Sequence, residues 1–315
     1  MAEPLFLNSQ MHEKIWGGTQ LRDVFGYEIP SDKTGEYWAI SAHPNGVSRV
    51  ANGRFQGVGL DRLYREQKDL FGNPDSPVFP LLTKILDAND WLSVQVHPDD
   101  RYALEHEGEL GKTECWYVLE AEEGAEIIYG HEAQSKEELA QMIEAGDWEH
   151  LLTRVPVKAG DFFYVPSGTM HAIGKGILIL ETQQSSDTTY RVYDFDRKDD
   201  QGNLRELHLQ KSIDVLNIGK PAHSTPAKLV VENLASTLLV SNEFFTVYKW
   251  QILGRESFAR VAPYLLCSVV GGQGLLEVEG QVYKLKKGDH FILPYDVAHW
   301  AFEGELEMIV SHPHS

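Results

Sequence analysis

The sequence predicts an all-β protein made of two related barrel-like units with a few short peripheral helices. Three features carry that prediction: many short β-prone runs between Gly- and Pro-rich turns, sparse helix signals, and an internal repeat.

The strand signals begin near the N-terminus. Glu36-Tyr37-Trp38-Ala39-Ile40-Ser41 passes through His43-Pro44-Asn45-Gly46 into Val47-Ser48-Arg49-Val50. The Asn-Gly pair predicts a hairpin there, because both residues tolerate positive φ. Residues 91–96, 115–119, 126–129, 161–165 and 176–181 are further short runs of this kind. Helix signals are fewer. Residues 60–71 have an apolar face, and Ser135-Lys136-Glu137-Glu138 is a capping box opening a helix that reaches residue 145. Residues 147–153 and 208–216 predict two more short helices.

The repeat sets the domain expectation. Lys158-Ala159-Gly160-Asp161-Phe162-Phe163-Tyr164-Val165-Pro166 is echoed by Lys286-Lys287-Gly288-Asp289-His290-Phe291-Ile292-Leu293-Pro294. A histidine follows at the same distance in each copy, His171 in the first and His299 in the second. Duplication of one unit is the simplest reading. The polar connection Lys220-Pro221-Ala222-His223-Ser224-Thr225-Pro226 then marks the boundary, giving units 1–222 and 223–315.

Composition excludes several classes. The 315 residues are 42% apolar and 24% charged, as in an ordinary globular chain. No stretch approaches the roughly 20 apolar residues of a membrane-spanning helix. Met1-Ala2-Glu3-Pro4-Leu5-Phe6 lacks the basic and then apolar regions of a secretory signal. Cys115 and Cys267 are too few for a disulfide framework, so a cytoplasmic location is the expectation. A formal net charge of −19 argues against nucleic acid. A small anion remains possible if the pocket is locally basic.

Gly160-x5-Pro166-x-Gly168-x2-His171 resembles the second signature of the cupin superfamily, whose first signature supplies a histidine pair and a glutamate, and the upstream match to it implies a candidate metal set of four residues. In Gln95-Val96-His97, strand alternation points Gln95 and His97 to one face, so both can reach one ion. Glu114 follows, and Gly160-x5-Pro166-x-Gly168-x2-His171 supplies a second histidine. Two imidazoles and a carboxylate suit zinc, with iron, nickel and manganese also compatible. Aligning the repeats at Cys115 and Cys267 puts Leu266 where Glu114 stands, so the second unit is expected to bind no metal. His299 is then a structural residue.

The glycine–proline–histidine block resembles the second signature of the cupin superfamily, which implies two cupin-type (jelly-roll) β-barrels. Residues 98–113 form an insertion between His97 and Glu114 that general cupins lack. With that insertion, nearly the whole chain resembles the type I mannose-6-phosphate isomerases, in their short bacterial form. The blocks that carry the likeness run in order: Leu92-Ser93-Val94-Gln95-Val96-His97-Pro98-Asp99, then Gly111-Lys112-Thr113-Glu114. They continue as Val165-Pro166-Ser167-Gly168-Thr169-Met170-His171-Ala172 and Glu181-Thr182-Gln183-Gln184-Ser185-Ser186-Asp187-Thr188-Thr189-Tyr190-Arg191.

The resemblance implies one zinc ion per chain on Gln95, His97, Glu114 and His171. It puts the substrate's phosphate on Lys84 and Ser93, with Asp187 also binding substrate. Arg191 is the implied catalytic arginine, and Lys112 and Glu181 are the candidates for the proton-transfer base. The implied reaction interconverts mannose 6-phosphate and fructose 6-phosphate through a cis-enediol. The partner is thus a small sugar phosphate, with no nucleic acid or membrane, and the chain is expected to be a monomer or weak homodimer. A cupin dioxygenase would favour three histidines and redox iron, which Gln95 opposes. A non-enzymatic sugar-binding cupin would not need the intact ligand set beside Lys84, Lys112 and Arg191.

Overall fold

The computed structural model describes residues 2–314, in which strands dominate and helices are short. Three sheets make up the fold. A six-stranded sheet has the order Phe162–Val165, Glu114–Ala121, Ile177–Gln184, Leu81–Ala88, Thr34–Ile40, Gln10–Gly18. A five-stranded sheet has the order Tyr190–Tyr193, Val94–Val96, His171–Ile173, Glu126–His131, Leu152–Pro156. A nine-stranded sheet holds the C-terminal strands, including Phe245–Ala259, Leu265–Val278 and His299–Pro313. Among the described residues each sheet is an open path, and none closes on itself as the expected barrels would.

Alternation along the strands explains the layering. In Leu81–Ala88 every residue is buried. Leu81 and Ile85 pack toward the nine-stranded sheet with Leu5, Phe245, Ile292 and Ile309, whereas Leu86 and Ala88 face the five-stranded sheet with Ile127 and Ile173. A strand covered on both faces reads as a continuous apolar run, so Lys84 within it is conspicuous. The five-stranded sheet turns Val94, Val96 and Ala172 outward under Leu139 and Ile143 of a peripheral helix and Leu216 just beyond another. Gln95, between two of them, points the other way.

The helix at Lys136–Ala145 forms where the capping box places it. The Ser135 hydroxyl accepts from the Glu138 amide at 3.1 Å, and Gly146 ends the helix in the left-handed region. Residues 60–71 divide into Leu60–Glu66 and a 3-10 turn, Lys68–Phe71. Of 147–153 only Trp148–Leu151 is helical, because Leu152 enters a strand; the last helix spans Leu209–Val215. The insertion carries an unanticipated helix, Asp100–His106, capped by Asp99. The hairpin at Asn45-Gly46 needs correction. The chain turns there, with the Gly46 amide on the His43 carbonyl at 3.0 Å, but Arg49–Val50 pairs with Leu5–Asn8 instead. Leu5–Asn8 in turn pairs with His290–Leu293, so the N-terminal strand belongs to the C-terminal sheet.

The two repeat copies share one turn. Gly160 and Gly288 have φ of 90° and 94°, a region open to glycine at little cost. Asp161 accepts from the Lys158 amide at 2.9 Å, and Asp289 from the Lys286 amide at 2.8 Å. Gly160 donates to Val118 and Gly288 to Val269, each at 2.8 Å. This register aligns Val118 with Val269. Glu114 is therefore matched by Leu265, which faces Leu293 as Glu114 faces Val165, and the alignment to Leu266 was one residue off. The second copy still offers leucine where the first has a carboxylate. His299 is exposed, unlike His171.

Candidate active site

Pairing registers aim the chemistry-bearing side chains into the space between the six- and five-stranded sheets. On the six-stranded sheet Lys84 lies opposite Glu181, Glu181 opposite Trp116, and Glu114 is two residues from Trp116. Directly paired residues share a face, as do residues two apart, so this group projects together. On the five-stranded sheet Gln95 pairs with both His171 and Arg191. Gln95, His97, Glu114, His171, Lys84, Ser93, Lys112, Glu181, Asp187 and Arg191 all line one cavity. All ten residues singled out in the sequence are thus brought together.

His97, Glu114 and His171 form its centre. Their potential ligand atoms lie within 4.8 Å of one another, and all three side chains are buried. Each imidazole donates Nδ1–H to a backbone carbonyl, His97 to Thr188 at 3.0 Å and His171 to Thr169 at 2.9 Å. That leaves both Nε2 atoms facing the Glu114 carboxylate, at 3.4 Å in each case. Trp116 donates to Glu114 Oε1 at 3.0 Å, while Oε2 is buried with no hydrogen-bond partner. Gln95 donates its amide nitrogen to the Ser93 carbonyl at 3.2 Å, so its side-chain oxygen remains free to accept.

The electrostatics favour the unprotonated imidazoles that metals bind. Burial, reinforced by Lys112 and His171, holds His97 well below the ordinary imidazole value. Burial brings His171 down to about 4. Burial raises Glu114 despite the opposing lysines. Glu181 is pushed up to about 7 by burial and then by the Glu114 charge. Burial would lower Lys112, but Glu114 and Glu181 outweigh it and raise its pKa, with Nζ 3.6 Å from Glu114 Oε2.

The cations are not solvated surface groups. Lys84 is 2% exposed and Lys112 6%. Lys84 Nζ sits 3.8 Å from Glu36 Oε2 and 4.5 Å from the centroid of the Trp38 ring. Asp187 and Arg191 do not form the structural pair that their spacing permits. Asn45 donates to Asp187 at 2.8 Å, and Arg191 Nη1 donates to the Glu206 carbonyl at 2.7 Å. Arg191 Nε is buried without a partner.

Sequence reasoning missed Glu36, Arg205 and Trp116, which also line the cavity. Glu36 interrupts the apolar run Tyr37-Trp38-Ala39-Ile40, and a charge at the edge of such a run was its only signal. Lys84 and Lys14, with a 2.7 Å bond from Trp38, overcome burial and hold Glu36 down to about 2. Arg205 is held by both carboxylate oxygens of Asp194, at 2.8 and 2.7 Å.

Residues 5–119 match the phosphomannose isomerase type I catalytic domain, and residues 235–313 match the mannose-6-phosphate isomerase cupin domain. The mannose-6-phosphate isomerase of Streptococcus mutans is 73% identical over 312 residues, covering 99% of both chains. The chain belongs to the type I phosphomannose isomerases. Within that family, the mannose-6-phosphate isomerase ManA of Bacillus subtilis is 56% identical, over 98% of this chain and 99% of its own. A crystal structure of the mannose 6-phosphate isomerase from Bacillus subtilis superposes with a TM-score of 0.96 at 51% identity, covering 99% of this chain and 100% of that one. Structures of phosphomannose isomerase mutants from Salmonella typhimurium share the fold at a TM-score of 0.80 and 16% identity. The matched residues 5–119 include Glu36, Lys84, Gln95, His97 and Glu114 of the cavity described above, while His171, Glu181, Asp187 and Arg191 lie beyond them.

Proposed function

We infer that the chain interconverts mannose 6-phosphate and fructose 6-phosphate with one zinc ion on Gln95, His97, Glu114 and His171. The observation that carries this reading is the orphaned Glu114 Oε2, buried between two imidazoles whose Nδ1 atoms are already committed. A buried acceptor with no donor costs free energy unless a ligand satisfies it. Two imidazole nitrogens, a carboxylate and an amide oxygen suit a divalent cation, and zinc takes nitrogen and oxygen ligands of this kind. Bound zinc supplies Lewis-acid polarisation of a substrate oxygen.

The chain's own residues carry the proton. Lys84 and Ser93 hold the phosphate, and Asp187 accepts from a sugar hydroxyl. Glu181 removes the C2 proton as the C2–H electron pair forms the C1–C2 double bond and the C1 carbonyl oxygen becomes the enediolate oxygen. The O2 hydroxyl proton passes to O1, and Glu181 returns its proton to C1 as the carbonyl forms at C2. Burial raises the Glu181 carboxyl above its ordinary value, which suits a group that both takes and returns a proton, whereas Lys112 is raised by its carboxylate neighbours and stays cationic. Lys112 and the unpartnered Nε of Arg191 stabilise the developing oxyanion.

The same reading divides the chain into a metal-binding unit, 1–222, and a duplicated unit, 223–315, both derived from a jelly-roll barrel. The matching glycine turns support the duplication. The reading includes a cytoplasmic monomer or weak homodimer; separately, no described helix is long and apolar enough to cross a membrane. The test is isomerisation of mannose 6-phosphate by protein as purified, after chelation, and after zinc is restored. Turnover that is lost and regained supports the whole reading; folded, zinc-loaded protein without turnover refutes it.

A further inference from the structure

Residues 98–113 separate His97 from Glu114 in the chain, and besides placing Lys112 in the cavity they bring a second charged group, the Glu109 carboxylate, against the loop that borders it. Glu109 Oε2 accepts from three consecutive residues of the loop after Ile177–Gln184: the Ser186 hydroxyl at 3.2 Å, the Asp187 amide at 3.2 Å and the Thr188 hydroxyl at 3.1 Å. Its other oxygen, Oε1, lies 3.2 Å from His43 Nε2. His43 is 5% exposed, and its Nδ1 accepts from the Asn45 amide, so Nε2 carries the proton and donates to Glu109. A second link is nearby. Asp100 accepts from the Gly111 amide at 2.7 Å and the Gln184 amide group at 2.8 Å, and Gln184 in turn accepts from the Thr113 amide at 2.9 Å.

The loop so held touches the site twice. The Thr188 carbonyl is the acceptor for His97 Nδ1, and Asp187 lines the cavity. We propose that Glu109 is a positioning residue for the metal site, the insertion serving as a strap whose carboxylate fixes the 186–188 loop and, through Thr188, the His97 ring. Four donors converge on this one carboxylate, and an ionised acceptor makes the stronger hydrogen bonds. Outer partners of metal-binding histidines fix ring orientation, and losing them typically weakens metal affinity about 10- to 100-fold. Glu109 acts one step further out, so an effect at the lower end of that range is expected.

This inference rests on the metal reading above, and the experiment separates the two. Zinc affinity is measured by competition with a chromophoric chelator for wild type, Glu109→Gln, Thr188→Val and Glu105→Gln. Glu105 is exposed on the same insertion and serves as the control. Thermal melting of the metal-free proteins is recorded alongside. Glu109→Gln is expected to bind zinc about 10-fold more weakly, Thr188→Val several-fold, and Glu105→Gln as wild type. Metal-free Glu109→Gln should melt within a few degrees of metal-free wild type. Zinc affinity of Glu109→Gln within twofold of wild type overturns the proposal. So does a metal-free variant that unfolds in proportion to its lost affinity, since that is a purely structural effect. Wild type that binds no zinc sinks the metal reading instead.

Discussion

Lys84 and Glu181 are direct cross-strand partners in the interior of the six-stranded sheet, so one cation and one carboxylate enter the cavity side by side. Glu181 Oε2 takes the Trp116 indole at 3.2 Å, leaving its other oxygen for substrate. Glu181→Gln keeps the shape and removes the base. Its kcat is expected to fall about 10²- to 10⁴-fold with little change in KM. Steady-state kinetics, with exchange of the C2 proton followed in deuterated water, checks this. A variant that keeps kcat within tenfold of wild type moves the base elsewhere.

Lys84 faces Glu36 as well, and a substitution there has two separable consequences. Lys84→Met removes the phosphate contact and raises KM for mannose 6-phosphate at least tenfold. It also strips a partner from a buried carboxylate. Because Lys14 remains 3.5 Å from Glu36, the stability loss should fall below the roughly 3–5 kcal/mol of a fully stranded buried charge. Adding Glu36→Gln should restore stability but not KM. Denaturant titration of both proteins, beside their kinetics, distinguishes the two effects.

Metal binding is expected to appear as stability. An ion that binds only the folded chain adds about 4 kcal/mol at a free concentration 1,000 times its dissociation constant. Melting curves with and without zinc should therefore separate widely for wild type. His171→Ala should abolish the zinc-dependent shift, and His299→Ala should retain it. A shift that survives His171→Ala would locate the ion away from the Glu114 cluster.

His290 supplies a pH dependence far from the cavity. It is buried, bonded to the Ser268 hydroxyl at 2.8 Å and 3.0 Å from the Tyr27 hydroxyl, and burial holds its pKa down to about 3. Its folded value lies below the unfolded value near 6.5. The neutral ring's contribution is therefore complete above pH 6.5 and is lost as pH falls from 6.5 toward 3. Between pH 6.5 and 5.5 wild type should lose about 1 kcal/mol more than His290→Gln. Urea unfolding at the two pH values measures the difference, and parallel losses would mean that the ring titrates normally.

Much of the site was legible in the chain because its logic is local. Strand alternation places Gln95 and His97 on one face whatever the rest of the fold does, and the glycine–proline turn delivers His171 to the start of its strand. The capping box at Ser135 is local in the same way, as is the positive φ demanded of Gly160 and Gly288. The hairpin at Asn45-Gly46 misled because a turn sequence specifies the bend and not the partner. Arg49–Val50 found Leu5–Asn8, whose own place is set by a strand near the other end of the chain.

The sequence by itself determined the strand-rich class and the two matching glycine turns, which are written in period and spacing, while the family resemblance implied Lys84, Ser93, Lys112, Glu181, Asp187 and Arg191. Only the tertiary structure decided that Lys84 and Lys112 are buried, that Asp187 and Arg191 stay apart, and that Glu36 and Glu109 support the site. A charged residue in an apolar run has the same local pattern whether water or an opposing sheet lies over it. Its depth and its ionic partner are set by segments distant in the chain, so they exist only once the sheets have packed.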